Sequence, residues 1–460
     1  MTKRSPVSPA PGPLEDYAAR FDHLFGARAQ RHGFRRYLEG LLLPAERNKT
    51  LTALANTEPV AGAQRREAQS LQWFLSESRW DPQEVNECRL KLLLSESATA
   101  APSEKKGVLV IDEHGDRKWG KHTAHVGRQW LANIGKTDNG VVSVSSLWAD
   151  EKVYWPHDFE PYTPAHHFEG GKEDPEFRTK LKIAAQLVER ALADGMKFGA
   201  VVADSFYGED DGFKRKLEEL NAGYVLALKP SHAWWHRESE IGSPWEAALA
   251  AQWEGVQKPG DWVKVLRRFK DGHEEEWWAL EVDVGPYGPE RGQRAVVATT
   301  DPEKLPDKAT WYVVSNLPAP GSERAREENR LGAVADLAEI VRLYGLRMWV
   351  EQSYKQVKHV LGWSDYQVRS DLAIRRHWQL VCCAFTFCWW AYGRLPSEDP
   401  LETENDPPPD SGGRGKKESS GVLAGGLESG KGVAGTVGNA VAILEGILRS
   451  APATAAKSAA

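Results

Sequence analysis

Three acidic residues, far apart along the chain, occupy positions from which they could share one ion. Asp112 ends the apolar run GVLVID, Asp204 ends the run FGAVVAD, and Glu351 lies in a later helical segment. Carboxylates at the carboxyl ends of neighbouring strands in an α/β sheet converge on the crevice where ligands bind. Asp is also a common turn former at strand ends, which explains either Asp taken alone.

An oxygen-rich site of this kind suits hard divalent cations. Mg²⁺ prefers carboxylate and phosphate oxygens, and two such ions about 4 Å apart stabilise both the attacking and the leaving oxygen of an in-line phosphoryl displacement. This is the chemistry of nucleases and polymerases. The three acids therefore predict a site for two Mg²⁺ ions, with Mn²⁺ able to substitute.

Polar residues with helical spacing accompany Glu351. Tyr344, Arg347, Glu351 and Lys358 are 3, 4 and 7 residues apart, so at about 100° per residue they fall within roughly 60° of one helical face. An exposed ion-pair face has the same period, because Arg347 and Glu351 are i,i+4 partners. Both interpretations stay open at this point.

Basic residues follow Asp112 closely and predict a local positive field for phosphates that flank a reacting one. Each basic residue taken singly is also explained as an ordinary surface charge. The predicted phosphate contacts are Arg117, Lys118, Lys121 and Arg128 after the first strand, Lys229 with His232 after the fifth, and Arg47 with Lys49 at the start of a short helix.

Composition limits the classes of protein that remain. The 460 residues are 41% hydrophobic and carry a formal net charge of −6, so any nucleic-acid contact must rest on local patches. The longest apolar run, 380–392, is too short to span a bilayer, and the N-terminus lacks an apolar signal segment. Four cysteines without CxxC spacing predict neither zinc nor disulfides. We expect a cytoplasmic protein without a membrane segment.

The hydrophobic pattern divides the chain into segments of different period. Residues 104–230 predict the order β-β-β-α-β-α-β, in which the first helix begins with Asp174 as N-cap and Pro175 at N1. The tryptophans of the β-rich part favour core packing over stacking on bases. The predicted segments are a disordered leader (1–13), a helical domain (14–98), an α/β core (104–230 and 326–393), a β-rich insertion (231–325), a disordered low-complexity linker (394–435) and a short C-terminal segment (436–460).

These features resemble the bacterial DDE insertion-sequence transposases of the IS-four-like group. The spacing Tyr-x2-Arg-x3-Glu-x6-Lys, filled by Tyr344, Arg347, Glu351 and Lys358, matches their signature. The strand and helix order, with a β-rich insertion before the Glu helix, is similar to their ribonuclease-H-like catalytic domain. The helical N-terminus with FRRYLEGLLL is also similar to that of a subgroup, and the likeness covers about residues 100–392.

The resemblance implies a ribonuclease-H-like, retroviral-integrase-like α/β fold with a helical N-terminal DNA-binding domain. It implies Asp112, Asp204 and Glu351 as the catalytic, metal-binding triad, and Arg347 and Lys358, supported by Tyr344, as contacts to transposon-end phosphates. The implied function is cut-and-paste transposition on double-stranded DNA, at inverted-repeat ends and target sites, by a homodimer associated with the bacterial nucleoid. The acidic net charge and the low-complexity region after residue 394 depart from the family pattern.

Two other functions compete with this one. A nuclease, or a domesticated DNA-binding protein that no longer transposes, would use the same fold. VIDEH also resembles the Walker B strand of a DExH helicase, but no G-x4-G-K-[ST] precedes it. HExxH and GxSxG motifs are absent from the sequence, which leaves zinc proteases and serine hydrolases without support.

Overall fold

The computed structural model describes most of the chain between residues 6 and 392, and residues 349–357 and 392 by their backbone alone. The predicted linker 394–435 and C-terminal segment 436–460 lie outside the described residues, as do residues 1–5 of the predicted leader. The described ranges are 6–10, 12–44, 47–96, 99, 107–233, 242–269, 273–328 and 332–392.

The described helices fall into an N-terminal group, a group within the sheet region, and two long helices at the end. The helices are α1 Gly12–Ala18, α2 Arg28–Leu42, α3 Leu51–Leu54, α4 Arg66–Ser76, α5 Pro82–Ser95, α6 Lys180–Ala193, α7 Ser205–Gly208, α8 Asp211–Glu219, α9 Pro244–Ala250, α10 Glu323–Arg326, α11 Leu337–Val360 and α12 Asp371–Tyr392.

Within the described residues, ten strands form one mixed sheet, so the fold is of the α/β type. They run in the order β2-β3-β1-β5-β6-β10-β9-β8-β7, with β4 paired to β3. The β1–β5 and β5–β6 pairs are parallel and the other pairs are antiparallel. The strands are β1 Val108–Arg117, β2 Gly127–Leu131, β3 Lys136–Ala149, β4 Tyr154–Tyr162, β5 Ala200–Ala203, β6 Tyr224–Ala227, β7 Val263–Arg268, β8 Glu274–Val282, β9 Arg294–Thr299 and β10 Thr310–Ser315.

The first helix of the sheet region begins later than the sequence predicts. The hydroxyl of Thr179 accepts a hydrogen bond from the backbone N–H of Lys182 at 3.2 Å and caps α6. The carboxylate of Asp174 instead accepts from the backbone N–H groups of Gly170 and Glu176, which makes a turn. The prediction of Asp174 as the N-cap is therefore wrong, because its side chain satisfies a turn that precedes the helix.

The strands of 231–325 extend the main sheet. β10 pairs with β6 on one side and with β9 on the other. The strands β9, β8 and β7 therefore continue the same sheet in that order. Trp277, Trp278 and Trp311 on these strands are buried. The core-packing interpretation of these tryptophans is confirmed.

The N-terminal helices pack against α12. The hydroxyl of Tyr37 lies 2.8 Å from Nδ1 of His377, and the guanidinium of Arg376 donates to the carbonyl of Trp80. The apolar run predicted as a buried helix lies within α12, and its three cysteines are buried and unpaired. Within the described part of the chain, no helix combines the length and apolarity that crossing a bilayer requires.

Candidate active site

Asp112 and Asp204 lie at the same level of two neighbouring parallel strands. β1 and β5 pair in the register Val110 opposite Val202, and each Asp is two residues further along its strand direction. Neighbouring strands are about 4.8 Å apart, and residues two apart share a face. The structure therefore brings these two predicted site residues together.

The ionisation of Asp204 reflects this arrangement. Burial raises the pKa of Asp204, the positive charge of Arg347 lowers it, and the negative charge of Asp112 raises it. Asp204 is also the N-cap of α7, and its carboxylate accepts a hydrogen bond from the backbone N–H of Phe206 at 3.0 Å. Two carboxylates that repel each other beside one arginine form a site that a cation would stabilise.

Glu351 lies on α11, which runs through Gly345 without a break. Its backbone position is one turn beyond Arg347 and about two turns before Lys358, on the same helical face. The charge of Arg347 acts on Asp204, and the charge of Lys358 lowers the pKa of His114 on β1. This face of α11 is therefore turned toward β1 and the end of β5. The side chain of Glu351 lies outside the described residues.

Tyr344, Arg347 and Lys358 on this helix are buried. The ring of Tyr344 packs edge-on against Trp311, with ring centroids 5.2 Å apart. The ammonium of Lys358 lies 6.0 Å from the ring centroid of Trp363. Contacts of Tyr344, Arg347 and Lys358 with DNA phosphates stay predictions.

Glu113 belongs to a second cluster of charged side chains beside the two aspartates. The sequence did not indicate that Glu113 lies at this site. Its carboxylate accepts from Nζ of Lys180 at 2.5 Å and from the hydroxyl of Tyr207 at 3.2 Å. Burial raises the pKa of Glu113, the charge of Lys180 lowers it, and the charge of Asp204 raises it. The acidic pair Asp112 and Glu113 was visible in the sequence, but its lysine partner is 67 residues away.

His114 and Asp116 continue β1 on the face of Asp112, and the sequence reasoning missed them too. Nε2 of His114 lies 2.7 Å from Oδ1 of Asp116, which also accepts a hydrogen bond from the hydroxyl of Ser364. Burial and the charge of Lys358 lower the pKa of His114, whereas Asp116 raises it. These bonds tie β1 to the segment that follows α11.

The basic residues that follow Asp112 have different environments. Arg117, Lys121 and Arg128 are exposed, and Arg117 pairs with Asp138 at 3.0 Å. Lys118 instead turns inward. Its ammonium donates to the carbonyl of Ser364 at 3.1 Å and lies 3.4 Å from the ring centroid of Tyr366, so a phosphate contact would require these bonds to break.

The remaining predicted phosphate contacts lie on other elements. Lys229 is exposed after β6, and Nδ1 of nearby His232 lies 3.1 Å from Glu209. The guanidinium of Arg47 donates to the carbonyl of Thr57. No described contact joins these residues to Asp112 or Asp204, so their contacts with DNA stay predictions.

Lys49 occupies a buried position with an exposed fraction of only 6%. Its ammonium donates to the carbonyls of Gly40, Leu41 and Leu43, which end α2. Burial lowers its pKa to about 8. A contact between Lys49 and a phosphate would require this helix end to open.

The two aspartates fit a divalent cation by the chemistry of their oxygens. Carboxylate oxygens are the ligands that Mg²⁺ and Ca²⁺ prefer. Among the side chains that the structure describes, no three His, Cys, Asp or Glu residues cluster as a metal site. The side chain of Glu351 is not among them. A metal site that included Glu351 would have a third carboxylate in addition to those of Asp112 and Asp204.

Two family models and a relative match this chain. A family model described as DDE superfamily endonuclease matches residues 20–267, and another described as transposase DDE domain matches residues 178–387. The chain is also similar to a probable transposase for insertion sequence element IS701 from Microchaete diplosiphon. The two are 33% identical over 371 residues, which cover 80% of this chain and 85% of that protein.

Proposed function

The chain belongs to the DDE family of transposases and endonucleases, and from that premise we propose that it moves an insertion sequence by cut-and-paste transposition. In the proposed reaction, water hydrolyses a phosphodiester of one strand at the element end and leaves a 3′-hydroxyl. This hydroxyl then attacks a phosphate of the opposite strand or of target DNA in line, so that a new phosphodiester forms and the 3′-oxygen of the attacked strand leaves as a hydroxyl. The supporting observation is the pair Asp112 and Asp204, whose carboxylates interact across neighbouring parallel strands.

DDE transposase domains use divalent metal ions, and the proposed form here is two Mg²⁺ held by Asp112, Asp204 and Glu351. When bound, such ions stabilise the charge on the attacking and leaving oxygens. The protein's own contribution is to keep the carboxylates ionised and aligned. Arg347 favours ionised Asp204 through its charge, and the N–H of Phe206 orients that carboxylate.

The proposed partner is double-stranded DNA, at both the element ends and the target. Arg347 and Lys358, with Tyr344, are the proposed contacts to end phosphates, and the exposed basic residues after β1 are proposed to hold phosphates further from the cut. We assign DNA binding also to the helical region 14–98. The finer assignments, a ribonuclease-H-like core, a homodimer on DNA and action at the nucleoid, follow from the family likeness.

The competing functions have less support. The relative over most of the chain is described as a probable transposase, which favours transposition over a nuclease that does not transpose. Both matching family models describe DDE domains, which gives an ATP-driven helicase no support.

The experiment that tests the proposal compares the protein with its Glu351→Gln variant on DNA that carries the native element ends. We expect Mg²⁺-dependent cleavage by the first and loss of cleavage by the second, since an amide cannot supply the missing negative charge. Gel analysis measures cleavage, and a mobility-shift assay in the absence of metal measures binding, which we expect both proteins to retain.

The matched control is Glu339→Gln, which removes a carboxylate from the first turn of the same helix, where it pairs with Arg342. We expect this variant to cut DNA at the original rate. Calorimetric titration with Mg²⁺ adds a readout apart from activity: Asp112→Asn should weaken metal binding. Equal cutting by the parent and Glu351→Gln proteins would remove Glu351 from the mechanism.

A further inference from the structure

Two tryptophans project into solvent from the segment that joins β1 to β3. Trp119 is 85% exposed and Trp130 is 57% exposed. Together with the exposed basic residues Arg117, Lys121 and Arg128 they form what we call the aromatic–basic surface. Exposed apolar groups mark an interaction site when they form a patch rimmed by polar residues, and each of these indoles could bury substantial apolar area.

The segment that carries Trp119 is held in place by the sheet. The side-chain amide of Asn139 on β3 donates to the carbonyl of Lys118 at 2.6 Å and to that of Gly120 at 3.0 Å. The guanidinium carbon of Arg117 lies 4.1 Å from the ring centroid of Trp119. One face of the indole is therefore supported by a cation, and the exposed fraction shows that much of the ring remains accessible.

Trp130 lies on the same edge of the sheet. Burial alternates along β2, so Arg128 and Trp130 share its exposed face. Arg128 is opposite Asn139 in the strand register, and Asn139 is the residue that holds the Trp119 segment. The two indoles and the two arginines thus belong to one continuous surface.

The charge of this surface is opposite to that of the whole protein. Residues 116–138 contain five Lys or Arg and two Asp, a net +3 against −6 for the chain. Of the two acids, Asp116 is buried and Asp138 pairs with Arg117. A positive surface with open aromatic rings matches the two features of a nucleic-acid strand, phosphate charge and base faces.

The position of the surface relates it to the proposed cutting site. Arg117 is five residues beyond Asp112 on the same strand, which corresponds to about 17 Å. Nucleotides in one DNA strand rise by about 3.4 Å each. The surface is therefore about five nucleotides from a phosphate bound at Asp112.

We infer that the aromatic–basic surface binds unpaired bases of the DNA strand near the cut, by stacking on Trp119 and Trp130. Base faces are covered in duplex DNA and become available only where strands separate. An enzyme that cuts and rejoins strands produces such single-stranded segments. The inference rests on the proposed function, since it takes the DNA around the cut as the occupant.

The test measures binding in the full-length Glu351→Gln protein, so that cleavage does not interfere. The probes are fluorescein-labelled element-end duplexes, either fully paired or with a 5′ or 3′ single-stranded tail of one to ten nucleotides. Fluorescence anisotropy should show tighter binding to one tailed DNA, with a preference that grows up to about five nucleotides of tail. Adding Trp119→Ala and Trp130→Ala should weaken tailed-DNA binding roughly tenfold or more, because stacking is lost.

Three further variants separate stacking from other effects. Trp119→Phe with Trp130→Phe should keep most of the preference for tailed DNA, since a ring remains. Arg128→Gln should weaken binding to paired and tailed DNA alike and reduce its salt dependence. Trp245→Ala, which removes a 46% exposed indole from α9, is the control and should change neither.

Several outcomes would overturn the inference. Unchanged tail preference in the double alanine variant would do so, as would equal loss on paired and tailed DNA. A shift from dimer to monomer in sedimentation, with the tail preference intact, would make the surface a contact between two copies. If the protein cuts element ends but shows no preference for tailed DNA, this inference alone is contradicted. If it prefers tailed DNA but does not cut element ends, the proposed transposition is contradicted.

Discussion

The state of Asp204 depends on two neighbours of opposite charge. Burial raises the pKa of this carboxyl, Arg347 lowers it and Asp112 raises it. In the proposed mechanism Asp204 binds a cation in its ionised form, so we expect cleavage only above the pH at which Asp204 loses its proton. Because the pKa is above the ordinary value for Asp, this limit lies at a higher pH than for an exposed aspartate.

Replacing Arg347 should move that limit. In Arg347→Gln the favourable charge is lost, so the pKa of Asp204 rises further and the acid side of the cleavage profile moves to higher pH. Initial cleavage rates from pH 5 to 8.5, at saturating DNA and fixed Mg²⁺, measure the shift. Arg347→Lys keeps the charge and should stay near the parent profile, and coincident acid limbs in all three proteins would refute the prediction.

The environments of the two aspartates follow from the sequence, whereas those of two lysines do not. Asp112 and Asp204 could be placed together because each follows an apolar run that forms one of two neighbouring parallel strands. The prediction that Asp112 ends its strand is wrong, because β1 stays paired with β3 as far as Arg117. The inward turn of Lys118 and the burial of Lys49 could not be predicted, because their acceptors are carbonyl groups that any residue supplies. A lysine in a basic sequence segment looks the same whether it faces solvent or caps a helix.

At the level of elements, Asp204 is positioned by the short helix that it caps. α7 ends at Gly208, which packs directly on β6. A Cβ atom at Gly208 would lie 1.9 Å from the carbonyl oxygen of Ala227, far closer than atoms can approach. The close approach of α7 to β6 thus depends on a glycine and indirectly sets the place of Asp204.

Gly208→Ala should therefore displace the carboxylate of Asp204, which we propose to be catalytic. We expect a loss of about 1–3 kcal/mol in the free energy of unfolding from overpacking and a fall of about 100-fold in cleavage rate from misplacement. Cleavage is measured at a temperature where thermal melting shows the variant folded. Gly292→Ala, where no heavy atom lies within 4 Å of the added Cβ, serves as the control, and an unchanged rate in Gly208→Ala would contradict the expectation.

Helices and strands with a clear hydrophobic period could be predicted from the sequence. Strand pairings between residues far apart in the sequence could not. The strands β3 and β4 with a turn at Asp150, and the buried helix α12, follow the predicted pattern. β2 was missed although its burial alternates, because it is only five residues long and interrupted by polar residues. Nothing local shows that β10 returns to β6, since that pairing joins residues 86 to 90 positions apart.

Across the whole molecule, Glu160 on β4 joins three elements. Its carboxylate accepts from Arg375 on α12 at 2.7 and 3.0 Å, from Arg178 at 2.6 Å and from Arg190 on α6 at 3.4 Å. Burial alone would raise the pKa of Glu160, but the hydrogen bonds and charges of these arginines outweigh it and lower the pKa to about 2. The sheet, α6 and α12 are therefore linked through one ionised side chain.

A pKa lowered from 4.5 to about 2 stabilises the fold by about 3 kcal/mol above pH 4.5, and this contribution disappears as the pH falls from 4.5 to 2. Glu160→Gln should lose that amount at pH 7, and the difference from the parent should shrink across this acid range. Urea unfolding at several pH values measures it. Glu189→Gln on the exposed side of α6 should unfold like the parent, and a constant difference down to pH 3 would exclude this role for Glu160.

The return of β10 to β6 also bears on how the protein is made. When Ala227 leaves the ribosome, β6 has its parallel partner on one side, but its other partner begins 83 residues later at Thr310. At about 5–20 residues per second, the nascent chain carries an unpaired strand edge for roughly 4–17 s. Products that stop short of residue 310 keep that edge for good, and we expect them to aggregate.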